Sequence, residues 1–290
     1  MAAGEALVSG PRLTRRQTAG AESAKGLLFT VLGEFVLPSG GAAWTSAFID
    51  ALGRLGVEEK ACRQALMRTA ADGWLTADRA GRRTSWRLTG SGVRLLTEGT
   101  ERIYGFAAAR RAWDGRWLMI LVRAPESERP ARHRLRTRLS WAGFGSPAPG
   151  VWLSPDATLQ GEAERILTEA GLRDDAQIFL ASHTGGSDLA TLARQAWDLD
   201  RIEDQYEQFI AEFGAPARTD TAATGRADPL ARVIGLVHAW RRFPWLDPVL
   251  PAALLPAGWS GTRAAAVFSA QHATWSVAAA AEWRRISGLA

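Results

Sequence analysis

WTSAFIDALGRLG (44–56), VEEKACRQALMRTAADGWL (57–75) and TADRAGRRTSWRLT (76–89) form one continuous stretch that reads as helix, turn, helix and two-stranded hairpin. Thr45 or Ser46 is expected to cap the first helix, since a side-chain oxygen there accepts from an unpartnered first-turn amide. Phe48, Ile49, Leu52 and Leu55 then give that helix an apolar side, and Gly56 stops it. The second helix spans roughly Glu58 to Asp72, opening on two carboxylates that suit the positive end of the helix dipole. Its apolar side carries Cys62, Ala65, Leu66 and Ala70. Lys60, Arg63, Gln64, Met67 and Arg68 fall on the other face at helical spacing. Arginine and glutamine have the donor and acceptor geometry to read guanine and adenine edges in a major groove. The hairpin turns at Ala80-Gly81, with Arg79, Arg82 and Arg83 at its tip and Trp86 and Leu88 alternating on the return strand. This is the pattern of a winged helix-turn-helix. Its second helix enters a DNA groove, wing arginines reach phosphates or the adjacent minor groove, and Thr45, Ser46 and Lys60 are candidate phosphate ligands. An ordinary helical hairpin with a solvated charged face is the competing reading.

Working outward, Lys25–Val36 is apolar around its circumference and reads as a helix buried under that pair, with Pro38 to Gly41 ending it. Residues 1–24 show no periodicity and are expected to be a disordered arm, with Arg12, Arg15 and Arg16 on it. After the wing, Thr89 resembles an N-cap. A connector helix with Val93, Leu96, Ile103 and Phe106 on one side is expected to run to Arg110, completing a 25–110 DNA-binding domain.

A second unit, 111–188, reads β-α-β-β-α-β. Its elements are Trp117–Val122, the helix Glu128–Trp141, a hairpin from Phe144–Ser146 and Gly150–Leu153, the helix Glu162–Ala170, and Gln177–Ala181. That is the ferredoxin-like order, with one sheet face on two helices and the other open to a partner such as a second copy of the chain. The remainder, 189–290, reads as helices at Leu189–Phe213, Leu230–Phe243 and about Gly261–Ile286, with a polar linker at 214–227 and a proline-punctuated segment from Pro244 to Trp259. The fold class is therefore α+β and multidomain: winged helix-turn-helix, ferredoxin-like middle, helical C-terminal effector or dimerisation domain.

The charge is uneven. Residues 1–150 carry 23 basic and 13 acidic side chains, and the remainder 12 and 17, within a net +5. A basic half joined to an acidic half points the first half at a polyanion. One cysteine, Cys62, excludes an internal disulfide framework. No apolar run follows the basic start and none is long enough to span a bilayer, so the expected location is cytoplasmic.

The segments 57–75 and RAGRRTSWRLTGSG (79–92), together with HAWRRFPWLDPVLPAALLPAGWSGTRAAAVF (238–268), resemble the PaaX family of repressors of phenylacetic acid degradation operons. The likeness runs from about Lys25 to Trp283, with Trp86 where the family more often has tyrosine. The resemblance implies a homodimeric transcriptional repressor that binds a palindromic operator in double-stranded DNA and is released by phenylacetyl-coenzyme A or a related acyl-CoA thioester. An effector with phosphates and an apolar acyl group needs cations beside an apolar slot. His238, Trp240, Arg241, Arg242 and Arg263 are the candidates, against packing and ion pairing with Asp247, Glu203 or Glu207. No cofactor and no metal ligand set is expected.

Catalytic motifs are missing. Ser182–Ser187 lacks the lysine of a phosphate-binding loop, and there is no G-x-S-x-G elbow. A metal-dependent ribonuclease on the ferredoxin-like unit is the enzyme alternative. It needs a carboxylate at the end of the first strand, where Val122-Arg123-Ala124-Pro125 stands instead, with Asp114 before it and Glu126 after it. A constitutive DNA-binding protein without an effector is the other alternative.

Overall fold

The structure is a computed structural model that describes residues 24–106, 112–123, 129–186, 188–215 and 228–288. The expected arm with Arg12, Arg15 and Arg16, the stretch from 107 to Arg110, Glu126, and the linker from 216 lie outside these residues. Two compact units emerge. One comprises residues 1–105, 209–242 and 265–290, the other 106–208 and 243–264.

In the first unit, α1 (Ala24–Val31) runs into a single π-helical turn, Leu32–Val36, closed by the Leu37 amide on the Leu32 carbonyl at 2.9 Å. Leu27, Leu28, Phe29, Val31, Leu32, Phe35 and Val36 are all buried, as a helix apolar on every side requires. Strand β1 (Ala42–Trp44) follows, too short to show an alternation in sequence. It pairs with β3, so the hairpin of β2 (Leu75–Ala80) and β3 (Arg83–Leu88) becomes a three-stranded antiparallel sheet ordered β1-β3-β2. Gly81 opens the two-residue turn between β2 and β3 with φ 58°, a conformation that side chains with a Cβ resist.

Helix α2 spans Thr45–Gly53 and α3 spans Glu59–Ala71. The expected cap on α2 is corrected here. Extended Trp44 holds the N-cap position with no side-chain cap, and Thr45 lies inside the first turn. Its buried hydroxyl donates to the Thr84 carbonyl and accepts from the Trp86 indole N–H, both at 2.9 Å, which fastens α2 to β3. The α2–α3 turn closes when the Val57 amide reaches back to the Leu52 carbonyl at 3.1 Å, past Gly56 in the left-handed region. Helix α3 buries Cys62, Ala65, Leu66 and Thr69. Thr69, not Ala70, completes that side, because its hydroxyl bonds the Ala65 carbonyl at 2.7 Å and so enters the core satisfied.

Thr89 caps α4 (Gly90–Gly105) by accepting from the Gly92 amide at 3.0 Å. Gly92 itself is a packing residue: a Cβ there would lie 2.3 Å from the Trp74 carbonyl oxygen. Val93, expected on the buried side of this helix, is exposed.

In the second unit, β4 (Arg116–Val122), β5 (Gly145–Ala148), β6 (Val151–Ser154) and β7 (Ala176–Ser182) form one antiparallel sheet ordered β5-β6-β4-β7, two interleaved β-α-β units. Helices α5 (Arg129–Trp141) and α6 (Gln160–Ala170) cover one face. Their Leu135, Leu139, Ile166 and Leu167 meet Leu118, Ile120 and Trp152 of the sheet.

The helix expected over 189–213 is two helices, α7 (Leu189–Ala196) and α8 (Leu199–Phe213). Trp197 breaks the run. Its backbone turns extended, its ring lies over Trp117 at 6.2 Å, and its N–H donates to the Gly143 carbonyl at 3.1 Å. Tertiary packing of one large ring outweighs the helical periodicity around it. Residues 199–208 of α8 belong to the second unit and 209–213 to the first.

Of the remaining helices, α9 (Pro229–Trp240) is capped by Asp228, which accepts from the Leu230 and Ala231 amides. After the single turn α10 (Phe243–Leu246), α11 (Ser260–Ser287) ends the described chain. Among the described residues no helix is long and apolar enough to cross a membrane.

Candidate nucleic-acid interface

Burial of Cys62, Ala65, Leu66 and Thr69 fixes the rotation of α3, which leaves Lys60, Arg63, Gln64, Met67 and Arg68 exposed together. With Glu59 they line an open trough of about 690 Å³ along the helix. Met67 is 62% exposed, an apolar side chain set among donors. Glu59 holds Arg63 through bonds of 2.7 and 2.8 Å, one turn apart. Among the described residues nothing bonds Lys60, Gln64 or Arg68. Burial pushes the Cys62 thiol up to about 11, so it is a packing group on the hidden side, not a nucleophile.

Ser46 is exposed at the start of α2, whereas Thr45 is buried and its hydroxyl is engaged on β3. All three wing arginines are exposed, but they do not share a face. The register pairs Arg79 with Thr84 on the Trp86 side of the sheet and places Arg83 and Arg87 on the opposite side. The Arg83 guanidinium stands 4.9 Å from the centre of the Trp44 ring, a cation–π contact that orients it. Arg82 occupies the turn itself. Arg87, which sequence reasoning did not single out, lies 3.7 Å from Asp78 and adds a cation to the Arg83 side; period-2 alternation from Arg83 was the signal for it.

The residues expected around an effector fall in both units. Trp240 is buried in the first unit, where its N–H donates to the Ile103 carbonyl at 3.2 Å and its ring stacks on Phe268 at 4.8 Å. His238 and Arg241 converge on α1: His238 Nδ1 lies 3.2 Å from the Thr30 hydroxyl, and Arg241 donates to the Gly26 carbonyl at 2.8 Å and to Thr30 at 3.2 Å. Burial, and then the charges of Arg241 and Arg242, pull His238 down to about 4. Burial lowers Arg241 to about 10. Burial also lowers Arg242, against the nearby charge of Glu212.

Arg263 belongs to the second unit and forms an exposed pair with Glu207 at 3.2 Å. Asp247 accepts from the Tyr206 hydroxyl at 2.8 Å. Four of the five candidates thus have structural partners: His238, Trp240, Arg241 and Arg263.

A polar cluster invisible in the sequence joins three distant segments of the first unit. Glu34, on the π-helical turn, accepts from the Tyr104 hydroxyl and lies 2.7 Å from His272 Nε2, and Tyr104 and His272 are 3.2 Å apart. Burial, and then Glu34, push the Tyr104 hydroxyl far up, so it stays a proton donor. Among the described residues no three His, Cys, Asp or Glu side chains converge as a metal-binding group.

This combination defines a class: a buried first helix, a helix pair with an arginine-rich hairpin, an interleaved α/β unit and terminal helices. Family models for a PaaX-like protein match residues 23–92, for the PaaX protein central Cas2-like domain residues 110–193, and for the PaaX-like protein C-terminal domain residues 197–285. The chain belongs to the PaaX-like family. It is 32% identical over 250 residues to the transcriptional repressor PaaX of Escherichia coli K12, covering 83% of this chain and 77% of that protein. In fold it is similar to the uncharacterized protein Rv0674 from Mycobacterium tuberculosis. The TM-score is 0.58 at 24% identity, over 91% of this chain and 98% of that one.

Proposed function

We propose that the chain is a DNA-binding transcriptional repressor whose first unit carries a winged helix-turn-helix. The carrying observation is the outward face of α3. Lys60, Gln64 and Arg68 are exposed and unbonded among the described residues, and the helix is held by its other side to a core that leaves this face to a partner. Gln64 suits adenine, Arg68 suits guanine, and Met67 suits a thymine methyl. Arg82 and Arg83 lie on the wing for phosphates or the minor groove. The likeness to a curated transcriptional repressor agrees with this reading.

The protein acts as a homodimer on a palindromic operator in the cytoplasm, one α3 helix per half-site, with an acyl-CoA thioester such as phenylacetyl-CoA as the releasing ligand. Family resemblance supports the dimer and the ligand. The side chains around His238, taken up in packing, do not by themselves define the ligand's pocket.

Replacing Arg68 by alanine tests the reading. With an operator recovered by selection from random duplexes, R68A is expected to cost about 1–3 kcal/mol of binding at matched salt and to relax preference at one base pair. Unchanged affinity and unchanged preference would remove Arg68 from base reading. Titrating acyl-CoA thioesters into the complex tests release, and dissociation by none of a broad panel favours a constitutive binder.

A further inference from the structure

Helix α5 of the second unit, RPARHRLRTRLSW, carries five arginines and a histidine and no acid. Ala131, Leu135 and Leu139 are buried in the core of that unit, which fixes the helix's rotation. At 3.6 residues per turn, Arg129, His133 and Arg136 then line up on the outward side, with Arg134 flanking them. All four are exposed. Arg138 is tied to Glu169 of α6, and Arg165 occupies Glu162 and the other oxygen of Glu169. Among the described residues no carboxylate or other acceptor engages Arg129, Arg134 or Arg136. Isolated surface arginines need no explanation, but this is a row of arginines on one helix, with Glu162 and Glu169 of α6 already committed elsewhere.

We propose that this face of α5 is a second DNA contact, made to the sugar–phosphate backbone of a duplex. The inference rests on the DNA-binding reading above and assigns it a surface outside the reading helix. Arginine forks match phosphate oxygens in pairs. Arg129 and Arg136 are about 10 Å apart along the helix, about three base-pair rises. The one large exposed ring of the helix, Trp141, stands beyond Arg136 at its C-terminal end, so the arginine row itself has no aromatic or apolar centre of the kind a protein–protein hot spot needs. Contacts of this kind carry affinity without sequence information and are recognised by their salt dependence.

The experiment uses the full chain and a mixed-sequence duplex of about 40 base pairs, long enough for contacts beyond a single half-site. Affinity is measured as a function of salt for wild type, R129Q/R136Q, R129K/R136K and R68A. The glutamine pair is expected to lose about tenfold in affinity at low salt and to lower the slope of log K against log[salt] by about 2, from about 0.9 per phosphate contact. The lysine pair, which keeps the charges, is expected to retain the slope. Glutamine variants with wild-type slope and affinity overturn the proposal while leaving the α3 reading intact. Loss with lysine equal to that with glutamine overturns it as well. If wild type itself binds no duplex, the DNA-binding reading fails and this contact with it. An altered oligomeric state without a change in slope would give the face to a second copy, whose later half is acidic, and would also overturn the DNA assignment.

Discussion

Arg54 and Arg68 stand near the ends of adjacent helices, α2 and α3, and do opposite things. Arg54 bonds three carboxylates: Asp50 at 2.7 Å on its own helix, Asp228 at 2.9 Å at the start of α9, and Glu282 at 2.6 Å on α11. Its side chain is 20% exposed. Burial works against its charge, but the bonds to Glu282 and Asp50 and the charge of Asp228 outweigh that and raise its pKa. Arg68 is exposed and its guanidinium has no bond among the described residues. The same side chain is a clasp in one place and an unoccupied donor in the other. The difference is made by acids that arrive from more than a hundred and fifty positions away in the chain, beside the one acid that a helix supplies locally. The clasp ties α2, the neighbour of α3, to α9 and α11 within one unit, so the last third of the sequence helps set how rigidly α3 is presented.

Removing the clasp should have the largest effect. Arg54→Ala leaves Asp228 and Glu282 facing each other without their shared cation, and we expect a loss of about 2–4 kcal/mol in denaturant unfolding. A loss below about 0.5 kcal/mol would reduce the clasp to an ordinary surface pair. Acid provides a second check. Bonds to Arg285 and Arg54 hold Glu282 down at about 2, against an ordinary 4.5. A carboxylate lowered in the folded state stabilises fully above its unfolded value, and that contribution is lost as the pH falls from 4.5 toward 2. Arg54→Ala should flatten this part of the acid titration. Arg68→Ala is the mirror experiment: the expected cost of about 1–3 kcal/mol appears in DNA binding and leaves unfolding unchanged. A loss of stability at Arg68 would erase the contrast.

Where a local pattern decides structure, the sequence was readable. The outward set on α3 follows from spacing alone, because the buried positions of a helix fix the exposed ones. Gly56 and Thr89 act where stop and cap chemistry placed them. Thr45 did not cap, because Trp86 and the Thr84 carbonyl offered its hydroxyl a buried pair of partners. The break at Trp197 and the clasp at Arg54 were hidden for the same reason: each depends on a partner that only folding brings close. At 238–242 packing and ligand signals overlap in the sequence. A row of histidine, tryptophan and arginines looks like a ligand site in sequence, yet Thr30, Gly26 and Ile103 account for His238, Arg241 and Trp240.

That buried seam yields a smaller prediction. The folded state keeps His238 neutral down to about 4, against an ordinary 6.5. The unfolded chain therefore binds more protons in that interval, so the contribution is complete above about 6.5 and is lost as the pH falls toward 4. His238→Gln, which cannot titrate, should remove this slope from stability measured between pH 4 and 6.5. It should cost about 1 kcal/mol at neutral pH for the bond to Thr30. An unchanged slope would mean that some other group governs stability in that window.

The smallest expected effect tests the outward face of α3, where Glu59 and Arg63 repeat the local pair of the clasp. Glu59 holds Arg63 as Asp50 holds Arg54, one turn away on the same helix, but both partners are more than half exposed. Glu59→Gln removes an exposed pair and a first-turn carboxylate, together worth less than about 1 kcal/mol of stability. It also frees Arg63 and removes a negative charge from the α3 face proposed to meet DNA. DNA binding should therefore tighten about two- to threefold at low salt, with the salt slope steeper by up to about 0.9. An acid that weakens both folding and binding when removed would instead be positioning Arg63 for its base, as a clasp on the reading face. Opposite signs in the two measurements mean that Glu59 competes with DNA for the arginine and limits nonspecific affinity.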